Sequence, residues 1–209
     1  MANYSETIQR VMDELGRLPG IGARTAERLT FHLLKAADDD ALGLSDAIRD
    51  LKTKIRPCRL CFNPTEEEFC AVCADSSRNR STICIVEQPK DLLSLESTGA
   101  YGGVYHVLMG HIAPLENIGP EDLTLDSLLG RVRTGQPDIE TGELTPITEV
   151  ILATNPTVAG DATALFIQEM LAETGVNVSR LARGLPAGGQ IEYASQTILA
   201  DAINERKTL

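Results

Sequence analysis

Apolar side chains recur at helical spacing over the first 55 residues of this 209-residue chain and predict three helices. The three sets of positions lie at residues 8–18, 26–34 and 44–55. Between the first two sets, the stretch "LPGIG" (18–22) places proline and glycine where a helix breaks. The pattern therefore predicts a compact helical unit built around a tight turn.

From residue 80 onward the pattern changes to an alternation of short β-branched runs and helical segments. Such an alternation is typical of an α/β fold in which the strands are mostly parallel. The polar stretch 133–147 is predicted to be a loop. The predicted strands are 81–86, 104–108, 148–154 and 177–182, and the predicted helices are 92–96, 119–132 with Pro120 at its N-terminus, and 161–173.

Residues 56–78 show little periodicity but hold four cysteines in the order "CRLCFNPTEEEFCAVC". Two cysteines separated by two residues reach one ion from a tight turn, and two such pairs complete a tetrahedral thiolate site. We expect one structural zinc ion, because four thiolates favour zinc and fill every position around it. Four free thiols or two disulfides are the alternative. The predicted ligands are Cys58, Cys61, Cys70 and Cys73.

The composition is that of a soluble globular protein, with 43% hydrophobic and 23% charged residues. The net charge of -11 is unevenly distributed, because residues 85–209 hold 17 of the 30 acidic side chains but 7 of the 19 basic ones. Segments 17–35 and 49–59 are locally basic. The overall charge therefore does not exclude a polyanionic partner, and the basic segments place that partner at the N-terminal end.

The first ten residues are polar and lack the apolar core of a secretory signal. No apolar run approaches the roughly 18 residues needed to cross a bilayer. We therefore expect a cytoplasmic protein with no membrane partner. The five cysteines then indicate metal ligands or free thiols rather than disulfides. Cys84, in an apolar strand, is expected to be a buried small hydrophobe.

The turn at "LPGIG" joins two predicted helices and so predicts a helix-hairpin-helix. Gly20 and Gly22 allow the tight turn and leave backbone N–H groups unshielded at the start of the second helix. Arg24 and Arg28 lie one turn apart on the same face of that helix, where both can reach a phosphate. This arrangement predicts sequence-independent contact with the sugar-phosphate backbone of a nucleic acid. A plain helical hairpin with solvated arginines is the alternative.

Glu87 directly follows the first predicted strand, at the end where α/β folds place their sites. A magnesium site for phosphodiester chemistry would need more carboxylates at the neighbouring strand end. That position reads Asn-Pro-Thr (155–157), so a polar cap on the sheet is the favoured interpretation. A magnesium-dependent nuclease or primase-like enzyme that uses Glu87 is the alternative. Three histidines are isolated in the sequence and are expected to be structural: His32, His106 and His111.

Four motifs follow one another along nearly the whole chain: "LPGIG" with "RTAERLTFHLL", then "CRLCFN", "ICIVEQPKDLLSLESTGAYGGVYHVL" and "RLARGLPAGG". Their combination and order closely resemble the RecR family of bacterial recombination mediators. The resemblance implies a Toprim-like α/β domain preceded by a helix-hairpin-helix DNA-binding domain and a small four-cysteine zinc finger. The corresponding divisions are 1–55, 56–78, 79–180 and a C-terminal segment, 181–209, that completes the fold and supplies oligomer contacts.

This resemblance also implies a DNA-repair protein without catalytic activity. Members of the family assemble into rings, often tetramers, that clamp single-stranded or double-stranded DNA. They act with the proteins RecO and RecF to load RecA onto single strands coated by single-strand-binding protein. A cytoplasmic, nucleoid-associated location is the expectation that goes with these partners.

Carried over by motif, the resemblance assigns DNA binding to Arg24 and Arg28 and zinc binding to the four cysteines. Glu87 matches the Toprim glutamate, which would contact a partner or, weakly, a metal. Two positions depart from the family pattern, because Ala159 replaces a usual glutamate and Ser195 a usual aspartate. The segment 133–147 is also longer than usual.

Overall fold

The computed structural model describes residues 4–185 and 187–206. The chain divides after Ile55 into two compact units, an N-terminal helical unit and an α/β unit. Within the described residues, no helix combines the length and the hydropathy that a bilayer crossing requires. The predicted C-terminal segment 181–209 includes Pro186 and residues 207–209, which lie outside the described residues.

The helical unit consists of α1 (Glu6–Gly16), α2 (Ala23–Lys35) and α3 (Asp38–Thr53), which confirms the three helices predicted from the apolar pattern. Helix α1 packs against α2. Ala26 and Thr30 of α2 are buried, whereas many leucines of this unit are exposed. The unit by itself therefore leaves much of its apolar surface uncovered.

The α/β unit begins with a small module, residues 56–78, which we call the cysteine module. Strands β1 (Arg56–Pro57) and β2 (Pro64–Thr65) form a two-residue antiparallel ladder, and α4 (Ala71–Ala74) is a single helical turn. The later strands are β3 (Asn79–Val86), β4 (Gly103–Val107), β5 (Gln136–Pro137), β6 (Leu144–Thr145), β7 (Glu149–Ala153) and β8 (Asn177–Arg180). The later helices are α5 (Pro89–Glu96), α6 (Leu125–Thr134), α7 (Val158–Leu171) and α8 (Gln196–Asn204).

Four of these strands form one parallel sheet in the order β4-β3-β7-β8, which confirms the predicted α/β fold. Strand β3 is central, and its side chains alternate between two cores. Ile83 and Ile85 pack with α6 and α7, whereas Cys84 and Val86 pack with α5 and with apolar side chains of the cysteine module. Cys84 is 2% exposed, so the prediction that it is a small core residue is confirmed.

The register of the sheet brings the carboxyl ends of its strands to one edge. Val86 at the end of β3 lies opposite Val107 of β4 and Ala153 of β7. Residues that immediately follow these strands, including Glu87 and Thr154, are therefore neighbours. The register therefore allows Glu87 to act as the polar cap that was the favoured interpretation of this edge.

The helix predicted over residues 119–132 is wrong at its start. Pro120–Asp122 form a short 3₁₀ turn, Leu123 is extended, and α6 begins at Leu125. The Thr124 hydroxyl donates to the carbonyl of Val107 at 2.8 Å. This bond ties the chain to the end of β4, so a helix cannot run through the position.

The segment 133–147 is also not the plain loop that its polarity predicted. It contains the end of α6 and an antiparallel hairpin, β5–β6. Helix α8 near the C-terminus had no counterpart in the predicted elements. The hydroxyl of Ser195 caps it by accepting a hydrogen bond from the amide of Ile198.

Candidate metal centre and nucleic-acid interface

The four cysteines of the cysteine module converge on one point. The Sγ atoms of Cys58, Cys61, Cys70 and Cys73 all lie within 4.8 Å of one another, and all four residues are buried. The cysteines are free, and the hydrogen-bonded Sγ atoms of Cys61 and Cys70 are 3.4 Å apart. A disulfide bond would need about 2.05 Å, so the geometry is that of a thiol cluster.

Backbone geometry sets the first pair of ligands, which we call the first knuckle (Cys58–Cys61). The amide of Cys58 donates to the carbonyl of Asn63 at 2.8 Å, and the amide of Phe62 donates to the carbonyl of Cys58 at 3.0 Å. Phe62 has a left-handed φ of 64°, which closes the turn. The second knuckle (Cys70–Cys73) starts α4, and the amide of Cys70 donates to the Cys58 Sγ at 3.3 Å.

This cluster fits a tetrahedral metal ion. Zinc–sulfur bonds of about 2.3 Å place tetrahedral sulfur atoms roughly 3.8 Å apart, a value consistent with the spacing in the cluster. Hydrogen bonds from Cys61, Cys70 and Cys73 lower the pKa of the Cys58 thiol, which favours the thiolate form that binds a metal ion. The four cysteines are positioned to bind a metal.

The predicted turn between α1 and α2 has the features that a phosphate ligand needs. Gly20 has a left-handed φ of 80°, and the amide of Ile21 donates to the carbonyl of Leu18 at 3.1 Å. Gly22 is the N-cap of α2 and offers no side-chain acceptor. The first amides of α2, which have no acceptor inside the helix, are therefore open to a ligand.

Arg24 and Arg28 follow on α2, and both are exposed. Within the described part of the chain neither guanidinium has an ion-pair or hydrogen-bond partner. Arg17, at the other side of the turn, is instead paired with Glu14 at 2.9 Å. The two arginines predicted from the sequence to bind phosphate are thus free to bind an anion.

Glu87 lies at the carboxyl end of β3 and is 2% exposed. Its Oε1 accepts from the amide of Asn155 and its Oε2 from the Asn155 side chain, both at 2.7 Å. Its Oε2 also lies 3.2 Å from His111 Nδ1. Both carboxylate oxygens are therefore occupied by the protein. His111, which is isolated in the sequence, meets Glu87 at this edge of the sheet across a separation of 24 residues.

Gly160, at the start of α7, is a site residue that the sequence did not indicate. A Cβ atom at this position would lie 2.1 Å from the Asn155 carbonyl oxygen and 2.7 Å from Glu87 Oε1. Only glycine lets the turn after β7 approach Glu87 so closely. The need for glycine depends on residue 87 and is visible only in the tertiary structure.

We expect Gly160→Ala to lower the free energy of unfolding by about 1–3 kcal/mol, because the added methyl group overpacks a backbone contact. The matched control is Gly130→Ala on α6, where nothing lies within 4 Å of the new Cβ. Alanine is favoured over glycine inside a helix by about 0.5–1 kcal/mol, so the control should be neutral or stabilising. Urea denaturation of both variants measures the difference, and equal stabilities would contradict the packing argument.

At the other end of this edge, Arg180 and Arg183 both pair with Asp161 in the first turn of α7. These bonds, first that with Arg183, lower the pKa of the Asp161 carboxyl. The arginines of "RLARG" therefore join the exit of β8 to α7. Their partner lies 19 and 22 residues earlier in the chain, so the motif by itself does not indicate it.

Protein-family models match the helical unit, the cysteine module and the region of the parallel sheet. A model described as "RecR, helix-hairpin-helix" matches residues 8–52, and a model of the RecR zinc finger domain with four cysteines matches residues 55–75. A "Toprim domain" model matches residues 81–182. The first includes both exposed arginines, the second all four clustered cysteines and the third Glu87.

The chain is 46% identical over 209 residues to "Recombination protein RecR" of Rhodopirellula baltica, which covers all of both chains. The chain belongs to the RecR family. RecR of Chloroflexus aggregans is 50% identical over 202 residues, which cover 97% of this chain and 94% of that one. RecR of Treponema denticola is 48% identical over 199 residues, which cover 95% and 97%. The family resemblance inferred from the motifs is thereby confirmed.

The family models identify the domain to which each part of the structure corresponds. The helical unit is a RecR helix-hairpin-helix, the cysteine module is a RecR zinc finger, and the parallel sheet is a Toprim domain. The family is one of recombination proteins.

Proposed function

We propose that this chain is a non-catalytic, DNA-binding recombination mediator in recombinational DNA repair. The observation that carries the proposal is the pair of arginines, Arg24 and Arg28, which have no partner among the described residues and lie beside the uncapped first turn of α2. Because amides and guanidinium groups here contact phosphates and not base edges, binding to single-stranded and double-stranded DNA is independent of sequence. Such binding weakens steeply with salt.

We further propose that one structural zinc ion per chain is held by Cys58, Cys61, Cys70 and Cys73. When bound, the ion crosslinks two turns that have little apolar core of their own. The buried thiol cluster and the family's zinc-finger description support zinc. Because all four ligand positions are taken by the protein, this ion does not bind substrate.

The Toprim domain, in this proposal, docks proteins rather than catalyses a reaction. Support comes from Glu87, whose two oxygens are already bonded by Asn155 and His111. The acidic side chains of residues 85–209 suit partners with basic surfaces. We propose RecO and RecF as these partners, RecA loading onto single-stranded DNA as the outcome, and a cytoplasmic, nucleoid-associated location. DNA cleavage that needs magnesium and Glu87 would contradict this assignment.

The mediator function is tested by the rate at which RecA assembles on single-stranded DNA coated by single-strand-binding protein. We expect this chain together with RecO, with or without RecF, to accelerate assembly, and Glu87→Gln to leave DNA binding unchanged. A chain that binds DNA but never changes the assembly rate would contradict a mediator and leave only a DNA-binding protein.

A ring of copies is the assembly we propose, and the helical unit provides one contact surface. Leu34 of α2 and Leu44 and Ile48 of α3 are exposed, at 63%, 47% and 56%. The three side chains line one groove, and contiguous exposed apolar patches mark interaction sites. A second copy of the chain is the occupant proposed here, because its matching surface is equally uncovered.

We therefore expect Leu34→Glu to shift the protein towards smaller assemblies, because a charge is placed in the proposed interface. Sedimentation velocity measures the shift, and Gln9→Glu on the polar face of α1 is the control. An unchanged sedimentation coefficient for Leu34→Glu would remove this surface from the proposed ring.

A further inference from the structure

Two arginines are buried beside the cysteine module. Arg80 precedes the apolar part of β3 and Arg131 lies on α6, and each is only 6% exposed. A guanidinium group stays charged in proteins, so burial is costly unless its donors and its charge are matched. The acceptors and counter-charges of these two arginines connect the metal centre to the rest of the α/β unit.

Each arginine donates to one of the two knuckles. Arg131 Nη1 donates to the carbonyl of Leu60, inside the first knuckle, at 3.3 Å. Arg80 Nη1 donates to the carbonyl of Cys73, in the second knuckle, at 3.4 Å. The carbonyls of both ligand turns are therefore held from outside the cysteine module.

The β5–β6 hairpin holds the same two arginines from the opposite side. Arg131 Nε donates to Gln136 Oε1 at 2.5 Å. Arg80 pairs with Asp138 Oδ2 through Nε at 3.1 Å and through Nη2 at 3.0 Å. The hairpin is thus linked to the metal centre through two charged side chains. Among the described residues, Asp138 is the one carboxylate that pairs with Arg80, and Arg131 pairs with none.

The hairpin also repeats the backbone of the first knuckle without its metal ligands. The amide of Asp138 donates to the carbonyl of Glu143 at 2.8 Å, as that of Cys58 donates to Asn63. Gly142 takes a left-handed φ of 72°, as Phe62 takes 64°.

Asp138 stands where the knuckle has its first cysteine. Its Oδ1 accepts from the amides of Glu140 and Thr141, both at 2.9 Å. A carboxylate closes this turn in place of a metal-bound thiolate, and its second oxygen is free to bind Arg80.

The charges around Arg131 differ from those around Arg80. Arg80 is neutralised by Asp138, whereas the remaining neighbours of Arg131 are the Tyr105 carbonyl at 2.6 Å and His106 Nδ1 at 3.4 Å. Its Nη2 has no acceptor among the described groups. Four thiolates around a divalent zinc ion leave a net charge of about -2. A filled metal centre would therefore supply a negative charge near Arg131, whose Nη1 already bonds the first knuckle.

We propose that Arg80 and Arg131 are positioning residues of the metal centre, held in place by the β5–β6 hairpin. They fix the carbonyls of both knuckles, and Arg131 offsets the charge of the filled site. Through these two arginines, the β5–β6 hairpin connects the cysteine module to the Toprim domain. This inference rests on the proposed occupation of the site by zinc.

Transfer of zinc from the intact protein to a chromophoric chelator tests the proposal. Arg131→Met and Asp138→Asn should release zinc about 10–100-fold faster than the unsubstituted chain, because losing a residue that orients a ligand usually lowers metal affinity by that factor. Arg133→Met is the matched control, because Arg133 is exposed on the same helix. It should release zinc at the unsubstituted rate.

Two variants, one of them additional, keep the test decisive if Arg131→Met does not fold. Arg131→Lys retains the positive charge but loses the planar set of N–H donors. This variant should release zinc at a rate between those of the unsubstituted chain and Arg131→Met. Asp138→Asn retains the acceptor that closes the hairpin turn and loses only the ion pair with Arg80. Their melting temperatures with and without zinc should differ less than those of the unsubstituted chain, because part of the coupling is lost.

The two possible failures are distinguishable. Absence of zinc from the freshly purified unsubstituted chain would contradict the proposed metal, whatever the variants do. Zinc that is present and leaves Asp138→Asn, Arg131→Lys and Arg133→Met at the same rate would overturn the positioning role alone.

Discussion

Replacing Arg24 and Arg28 together by alanine is expected to lower the affinity for DNA at least about 100-fold at low salt, for single and double strands alike. Both side chains are exposed and unpartnered among the described residues. Each charged hydrogen bond to a phosphate contributes about 1.5–3 kcal/mol, and two such bonds are lost per chain. Fluorescence anisotropy with labelled oligonucleotides of several sequences measures the change.

The salt dependence separates phosphate contact from other causes. The plot of log K against log salt has a negative slope, and each lost phosphate contact reduces the magnitude of that slope by about 0.9 on duplex DNA. The double variant should therefore bind with a flatter slope as well as more weakly. Circular dichroism should be unchanged, because both side chains are exposed to solvent.

The matched control removes two positive charges from the α/β unit, through Lys90→Ala with Arg133→Ala. Both residues are exposed there. If the helical hairpin grips DNA, this control keeps most of its affinity. Equal losses of DNA affinity in the two double variants would show that the effect comes from net charge alone. Unchanged DNA affinity of the Arg24→Ala, Arg28→Ala variant would contradict the proposal that the helix-hairpin-helix binds DNA.

Replacing Cys61 by serine is expected to cause loss of zinc and a large loss of stability. Structural zinc sites contribute roughly 10–16 kcal/mol of apparent binding free energy in zinc-finger peptides, comparable with the whole stability of a domain. The cysteine module packs on the core of the α/β unit through Phe62 and Val72, so its loss should destabilise the sheet as well. Elemental analysis and thermal unfolding, each with and without a chelator, measure both effects.

Cys84→Ala is the control for the cysteine chemistry. Cys84 is buried on the central strand but lies outside the thiol cluster. This variant should keep one zinc ion per chain and lose only the modest stability of a small core truncation. A Cys61→Ser protein that melts at the same temperature as the Cys84→Ala protein would show that no metal stabilises the module.

Local features of this fold could be predicted from the sequence because neighbouring residues determine them. The two Cys-x-x-Cys pairs need only a tight turn each, and the turn at Gly20 needs only a residue that tolerates positive φ. The strands of the sheet were visible because β3 is buried on both faces and reads as an apolar run.

Contacts between distant residues could not be predicted in the same way. Glu87 meets Asn155, Arg80 meets Asp138 and Arg131 meets Leu60 across separations of 68, 58 and 71 residues. Nothing in the local pattern marks such partners. The polarity of 133–147 indicated a loop, whereas the hairpin forms because Asp138 bonds its own backbone and then Arg80.

The departure at Ser195 illustrates how a replaced residue can keep a structural role. The serine hydroxyl caps α8, a role for which serine and aspartate are about equally suited. The exchange therefore removes a charge but not the cap. Ala159 lies in the first turn of α7, and nothing in the structure explains the absence of a glutamate there.

The central claim, a DNA clamp assembled from several copies, is tested most directly by the mass of the protein in solution. Light scattering should give about four times the chain mass of 22.6 kDa without DNA, and the same ring plus one oligonucleotide when DNA is added. RecO should add to this mass without displacing the DNA. A mass of 22.6 kDa that stays the same in the absence and presence of DNA would contradict the clamp.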